Sequence, residues 1–510
     1  MRIFAGRHLW VWIVLAVTLM PALDATEAST PVGKTELIVG TGGDVQRLDP
    51  HMATNVIDIT ATFNIFDKLV QRGQDLKLYP ALATEWKRVN DTTWQFKLRR
   101  GVKFHNGEPF NAETVKFSLG RTIPSGDPKV MTRGTFVSVE RIDVADDYTV
   151  NIITKVPDPL IPDRLAFHGG TIIPKQYFEK MGAEQFNLKP VGTGPLKFLE
   201  WVKDDHLTLE ANKEWWGGRI AFERVTLRPI PEPAARVSAL LKGEADIITR
   251  LPPDDVDRLN KSPNVTVVGV PLAGLYVLAT NYKRPFPMDN KYFHQALSLA
   301  IDRQAIVRNL WRGQGLVPNG VYPRGNSAYD PNLPPLEYNK EKAKALLKQI
   351  GYKGEEVIME STVGFFANER QMSEAVVEMW REVGINAKLE IIEFSVRAQK
   401  NRERSFKGIW FSDPIDTLLD PDGMVWRLQG PGTAQDYLRV PEWDKLMVEA
   451  RVNLDAAKRK DLYDAAHKIY LEYLPWIPVV QPIESYGIQR FLDWKPRGTQ
   501  DLVIQDVKLR

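Results

Sequence analysis

Apolar residues recur along the chain at two periods, and the alternation of those periods predicts an α/β protein. ELIVG, Glu36 to Gly40, is a continuous apolar run broken by Gly42 and Gly43, the pattern of a short buried strand. TWQFKLRRGVKF, Thr93 to Phe104, sets Trp94, Phe96 and Leu98 against polar partners, as a strand with one face on a core does. Asn111 then precedes AETVKFSL with Glu113 in the first turn, which predicts a capped helix. In ARVSALLKG, Val237, Leu240 and Leu241 share one helical face, Gly243 stops it, and the strand ADII follows.

The later part repeats this grammar. In FHQALSLAIDRQAIVRNLWRG, Phe293, Ala296, Leu297, Ala300 and Ile301 form one stripe; Asp302 caps a second helix, continued by Ile306, Leu310 and Trp311 to Gly313. Asn339 caps KEKAKALLKQI, where Ala343, Leu346, Leu347 and Ile350 recur at helical spacing. A helix with Met372, Val376, Met379, Trp380 and Val383 ends at Gly384 and leads into the strand INAKLEII. Helices alternating with strands in this way predict lobes with mixed sheets. Pro-rich connections fall at Pro229 to Pro233 and at Pro285 and Pro287. VYPRGNSAYDPNLPPLEYNK keeps its tyrosines and leucines, so it is expected as an ordered loop packed on its lobe. No tandem repeat is present.

Length divides this pattern into lobes, because one core stops growing at roughly 250–300 residues and the chain has 510. A net charge of +3 is too dilute for a nucleic-acid partner. The absence of cysteine excludes disulfides, Cys-ligated zinc, iron–sulfur clusters and thiol catalysis. At the start, Arg2 and Arg7 precede the apolar run Leu9 to Met20, followed by Pro21 and small residues. This is the layout of a cleavable secretory signal over residues 1–28, and the run is short of the roughly 20 residues that cross a bilayer.

Catalytic motifs are scarce. None of the seven histidines lies three or four residues from another, so no zinc helix of the H-E-x-x-H type exists. There is no G-x-S-x-G elbow and no phosphate-binding P-loop. GTGGD, Gly40 to Asp44, lacks the third glycine of a dinucleotide fingerprint and is better explained as a turn. No metal and no cofactor is expected. Carboxylates concentrate in WFSDPIDTLLDPDG, where Asp413, Asp416, Asp420 and Asp422 lie close together. The plain explanation is a Pro-broken loop whose aspartates satisfy their own turns. The alternatives are a calcium loop, which the spacing disfavours, a glycosidase pair, or an anchor for a ligand ammonium. Most of the 14 tryptophans belong to cores, and Trp410, beside this cluster, is the best candidate for a ligand cleft.

Several tracts together resemble one family, the solute-binding protein family 5 of bacterial ABC importers. They are LDPH from Leu48, ALATEWKRVNDTTWQFKLRRGVKFHNGEPFNAETVKFSL from Ala81, KPVGTGPLKFLEW from Lys189, ANKEWWGG, RPIPEPAARVSALLKGEADI and HQALSLAIDRQAI. They follow the family order from about Thr35 to the C-terminus. The resemblance implies an α/β, two-lobed periplasmic binding protein, a clamp with mixed sheets, an extra domain and a discontinuous lobe I. That lobe would combine residues 29–66, 189–272 and 481–510; the extra domain would be 67–188 and lobe II 273–480.

It further implies a non-catalytic function: capture of a peptide or peptide-like solute between the lobes and delivery to ABC permease subunits in the inner membrane. Extended ligand backbone would pair with Ala53, Thr54 and Asn55 on lobe I and with Trp410, Phe411 and Ser412 on lobe II. The family aspartate that holds a ligand ammonium corresponds to Asp413. The Asp-Pro that follows it in peptide binders corresponds to Asp416, or to Asp420 after an insertion. The arginine that takes a dipeptide carboxylate is replaced by Val363, which argues against strict dipeptide specificity. Alternatives within the family are an oligosaccharide, an opine, glutathione or a metal chelate. Outside it, the competing class is a secreted carboxylate-dependent hydrolase. A freely diffusing periplasmic monomer is expected, since no cysteine follows the signal to carry a lipid.

Overall fold

A computed structural model of the chain describes residues 33–363 and 366–510. The expected signal segment, residues 1–28, lies outside them.

One long strand organises the fold. Trp476–Gln489 pairs antiparallel near its start with Tyr276–Thr280 and near its end with Val265–Pro271 and Ile247–Ile248. It is buried along nearly its whole length, which is why its sequence is apolar on both faces. From Tyr276–Thr280 the sheet continues through Ile409–Ser412 and Val357–Ser361 to Ala387–Ile391. From Ile247–Ile248 it continues through Glu36–Thr41, Arg224–Pro229 and His206–Ala211 to Leu196–Val202. Both wings mix parallel and antiparallel pairs, as the alternating pattern predicts.

Each wing buries its own core. One gathers Leu37, Ile65, Leu196, Val225, Ile488 and Leu502; the other gathers Leu278, Leu297, Met359, Trp380 and Ile477. A third core, from Leu69 to Ile172, lies under a separate antiparallel sheet of Ala83–Asn90, Thr93–Leu98, Thr149–Thr154 and Val139–Asp146. The result is an α/β clamp of two lobes with an additional antiparallel domain.

The wings are joined where the chain crosses at 272–275 and at 480–483. Leu272 N donates to the carbonyl of Pro482 at 2.8 Å, and Gln481 Nε2 donates to the carbonyl of Leu272 at 2.7 Å. Pro478 and Pro482 supply no N–H to the ladder, and a bulge lies opposite Pro478 between Tyr276 and Val277. The crossover therefore has fewer ladder bonds than either wing.

Local expectations are met where the signal is local. The side chains of Asn111, Asp302 and Asn339 accept from the backbone N–H of Thr114, Ala305 and Lys342. Phe293, Ala296, Leu297, Ala300 and Ile301 are all buried. Tyr322 and Ala328 bury the long Pro-rich loop against its lobe. GTGGD is a turn: Thr41 Oγ1 donates to the carbonyl of Gly43, and the Asp44 carboxylate accepts from Val45 and Asp204 N–H. Two expectations need correction. The strand begun at Thr93 ends at Leu98, not Phe104, because Gly101 turns the chain at φ 75°. Leu241 is exposed, because it is the last residue of its helix and the apolar face has rotated past the core.

Candidate functional site

The site is built on the strand Ile409–Ser412 and the loop after it. Trp410 pairs with Ala279 on one side and Glu360 on the other, so the strand starts as an interior strand. The ladder to Val357–Ser361 stops at Trp410, and from Phe411 onward that edge is open. Arg397 Nη2 donates to the carbonyl of Phe411 there, at 3.1 Å. Pro414 then ends the strand. Gly274 lets the loop dock on the lobe crossover, since a Cβ at that position would stand 2.6 Å from the carbonyl oxygen of Pro414.

The four clustered aspartates divide into three that hold the loop and one that faces the cleft. Asp416, fully buried, accepts from Asn326 Nδ2 at 2.6 Å and from the backbone N–H of Leu418 and Asp420. Burial pushes its carboxyl up to about 7. Asp420 is held by Arg459 at 2.6 Å, by the Tyr463 and Ser327 hydroxyls and by the N–H of Asp422. Asp422 joins Arg164 at 2.5 Å and also pairs with Arg451. The turn-satisfying explanation of the cluster therefore describes Asp416 and Asp420, which accept from loop N–H groups, whereas Asp422 is held by arginines remote in sequence.

Asp413 differs. It is half-buried, and no side chain among the described residues donates a hydrogen bond to its carboxyl. Burial pushes that carboxyl up to about 6, against the attraction of Arg397 and Arg250 and with the repulsion of Glu369. It lines a cavity of about 550 Å³ together with Thr54, Phe394, Arg397, Trp410, Ser412 and Gln500, so residues of both wings enclose it. That volume is within the range of small-ligand clefts.

The other expected residues are placed as follows. Thr54, Trp410, Ser412 and Asp413 line the cavity, and Asp416 borders it with its carboxyl turned into the loop. Trp410 is stacked on Phe406 at 4.0 Å, with Tyr437 against its edge at 5.2 Å. Ser412 Oγ accepts from Gln435 Nε2, whose Oε1 accepts from Trp476 Nε1. Phe411 points the other way, into the core of its lobe, as strand alternation requires. Ala53 is buried, and Asn55 caps the helix Val56–Ile65 by accepting from Ile57 and Asp58 N–H. Asp420 lies behind the cavity wall, in the Arg459 cluster. The LDPH tract pins this segment: Asp49 pairs with Arg121 at 2.7 Å, while His51 Nε2 bonds the carbonyl of Thr171.

Sequence reasoning missed Arg397, Arg427, Phe167, His168, Thr499 and Gln500, which also line the cavity. They come from distant segments, and no local pattern marks them. Among the described residues no group of His, Asp and Glu is arranged to hold a metal, and no helix is long and apolar enough to cross a membrane.

Two lobes joined by two crossovers, with a cavity lined from both, define a solute-binding clamp. The chain belongs to the bacterial extracellular solute-binding proteins, family 5, whose model matches residues 77–436. This is a family of binding proteins, so the hydrolase alternative falls. The chain is 28% identical over 505 residues to di/tripeptide-binding protein 1 of Pseudomonas aeruginosa, covering 91% of this chain and 93% of that one. It is 26% identical to the dipeptide-binding protein of Escherichia coli, covering 93% of each. Among solved structures, an ABC transporter-associated periplasmic binding protein from Helicobacter pylori in complex with peptide STSA aligns with TM-score 0.81 and 25% identity, covering 93% of this chain and 98% of that one.

Proposed function

We propose that this chain is a periplasmic receptor that captures short peptides between its lobes and presents them to the permease of an ABC importer. The observation that carries this reading is Asp413: a carboxylate facing the cleft, without a donated side-chain hydrogen bond, beside the open edge of the strand Trp410–Ser412. A peptide N-terminus supplies an ammonium and the donors its carboxyl lacks, and the peptide backbone can continue the open edge. Thr54 borders the same cavity from the opposite lobe, and Asn55 fixes the start of the helix behind it. The peptide ligands of the similar proteins support the same class.

Ligand that touches both lobes favours the closed clamp by its differential affinity for that state, and closure is what a permease reads. We place the hinge at 272–275 and 480–483, between lobe I (29–66, 189–272, 481–510), with the extra domain 67–188, and lobe II (273–480). Export through the basic and apolar segment from Arg2 to Met20 supports the periplasmic location, and a monomer suffices for the clamp. The test is mass spectrometry of whatever co-purifies, followed by calorimetry with peptides. Asp413→Asn is expected to weaken peptides with a free N-terminus far more than their N-acetylated forms. Equal loss for both removes Asp413 from the ammonium role.

A further inference from the structure

Arg164 of the antiparallel domain reaches across to lobe II, where its Nη2 meets the Asp422 carboxylate at 2.5 Å; the two side chains are 8% and 4% exposed. We infer that this pair is a closure latch: it ties the two halves of the clamp together side chain to side chain, and so favours the shut form before any solute enters. The inference goes beyond the capture of peptides. It rests on the hinge at 272–275 and 480–483, not on the chemistry of the ligand.

The two residues belong to bodies that part when the hinge opens, because the antiparallel domain is fastened to lobe I at many places. Arg121 pairs with Asp49 at 2.7 Å, Asn187 Oδ1 accepts from the N–H of Leu48 and Asp49, and His51 Nε2 bonds the carbonyl of Thr171. Asp67 accepts from Thr193 Oγ1 and Trp216 Nε1, and Arg497 Nη1 donates to the carbonyl of Arg72 at 2.6 Å. Toward lobe II, two side chains of the domain form hydrogen bonds among the described residues. One is Arg164; the other is Arg72, whose Nη2 stands 3.5 Å from the carbonyl of Leu418. The domain therefore travels with lobe I, and opening must separate Arg164 from Asp422.

The surroundings suit a contact that is made and broken. Around the pair the two surfaces do not pack: a chamber of about 700 Å³ lies between the segment 131–138 and the loop 417–427, and Met131 and Val137 stay exposed in its wall. Separation there uncovers little apolar surface. Nor does it orphan a charge. Arg164 keeps Asp158 at 3.0 Å and the carbonyl of Thr135, while Asp422 keeps Arg451 of its own lobe. Without these second partners, opening would leave two buried charges unpaired and the clamp would be locked.

Both ends are also set in place before they meet. Asp158, which holds Arg164, accepts from Ser138 Oγ and from the Leu160 N–H. On the other side the Asp422 N–H donates to Asp420, which Arg459 and Tyr463 hold. Little side-chain freedom is lost when the two ends join. A clamp latched by its own residues is partly shut without ligand, and a ligand adds to a closure already favoured.

The test is the lobe separation of the full chain without ligand. The chain has no cysteine, so Val89→Cys in the antiparallel domain and Val448→Cys in lobe II, at positions 53% and 48% exposed, carry two spin labels alone. Pulsed electron paramagnetic resonance reads the distance between them once bound solute has been removed by unfolding and refolding. The labelled chain is compared with the same chain carrying Arg164→Gln or Arg451→Gln. Each substitution takes one arginine from Asp422, but Arg451 shares a lobe with it. The labelled chain is expected to show a shut, short-distance population. Arg164→Gln is expected to lower the ratio of shut to open forms about tenfold or more, and Arg451→Gln to leave the short distance in place. Melting temperature checks that the variants fold. Arg164→Lys keeps a cation for Asp158 but cannot fork to both carboxylates, so it is expected to open the chain by a smaller factor, and it serves if Arg164→Gln does not fold. One distance common to all the proteins, or equal opening by the substitutions at Arg164 and Arg451, overturns the latch. No ligand enters the measurement, so either result leaves the peptide reading to its own calorimetric test.

Discussion

Arg164 and Asp422 meet at 2.5 Å although 258 residues separate them, and both side chains are buried. The pair joins the antiparallel domain to the site loop. Arg164 is shared with Asp158 at 3.0 Å, and Arg451 takes the other oxygen of Asp422. Burial opposes ionisation of Asp422, but the two arginines outweigh it and hold the carboxyl below the usual range. Asp422→Ala leaves Arg164 with Asp158 alone and the half-buried Arg451 without a carboxylate, and is expected to cost about 3 kcal/mol, read by urea denaturation. Since the folded carboxyl titrates below its unfolded value, its contribution is present above the unfolded value and fades as pH falls through the folded one. Asp422→Ala should therefore flatten the acid limb of the stability profile.

Asp413 titrates with the opposite sign. Burial raises its carboxyl to about 6, so the folded chain holds a proton that the unfolded chain has lost. Its contribution to stability falls as pH rises from the unfolded carboxylate value of about 4 towards 6. A ligand ammonium pairs only with the ionised form. Affinity for a peptide with a free N-terminus should thus weaken as pH drops below about 6, by at most about tenfold per unit. Calorimetry between about pH 5 and pH 7 checks this, with the N-acetylated peptide showing a flatter dependence. A parallel dependence for the two peptides would place the titrating group elsewhere.

Asp413→Asn and Asp416→Ala should separate ligand binding from loop architecture. Removing one partner of a desolvated charge pair costs about 2–5 kcal/mol, so Asp413→Asn is expected to weaken free-amine peptides roughly 30-fold or more with little change in melting temperature. Asp416→Ala orphans Asn326 and two backbone N–H groups, which costs about 2–4 kcal/mol of stability. Its binding loss should be shared by free and N-acetylated peptides.

What the sequence made legible was local or ordered. Asn111, Asp302 and Asn339 are caps because a short polar side chain just ahead of an apolar stripe has one good use. The cleft position of Trp410 was legible from its place beside the aspartate cluster, and that of Asp413 from the family resemblance. The division of labour among the aspartates was not, because Arg164, Arg451 and Arg459 reach them from segments remote in sequence. Arg427 gave no signal for a similar reason: its place on the cavity wall and its bonds to the carbonyls of Gly423 and Ile415 are set by packing of the loop. Leu241 was misplaced because a helical stripe does not say where the helix leaves the core.

Gly274 tests whether the loop position, as distinct from its charges, determines binding. The Gly274 backbone bridges Ile415, and a methyl group there would sit 2.6 Å from the Pro414 oxygen and 2.8 Å from the Ile415 side chain. The Ile415 methyl can turn aside, but the Pro414 oxygen is backbone, so Gly274→Ala must push the loop away from the crossover. Overpacking of this kind costs about 1–3 kcal/mol. Because Asp413 immediately precedes Pro414, the same displacement should move its carboxyl and weaken peptides by an order of magnitude or more. Gly120→Ala is the matched control, since an added methyl there meets no atom within 4 Å. It should leave affinity unchanged and raise stability by up to about 1 kcal/mol. Equal affinities for Gly274→Ala and Gly120→Ala would show that the loop tolerates displacement, and the anchoring role would then rest on Asp413 charge alone.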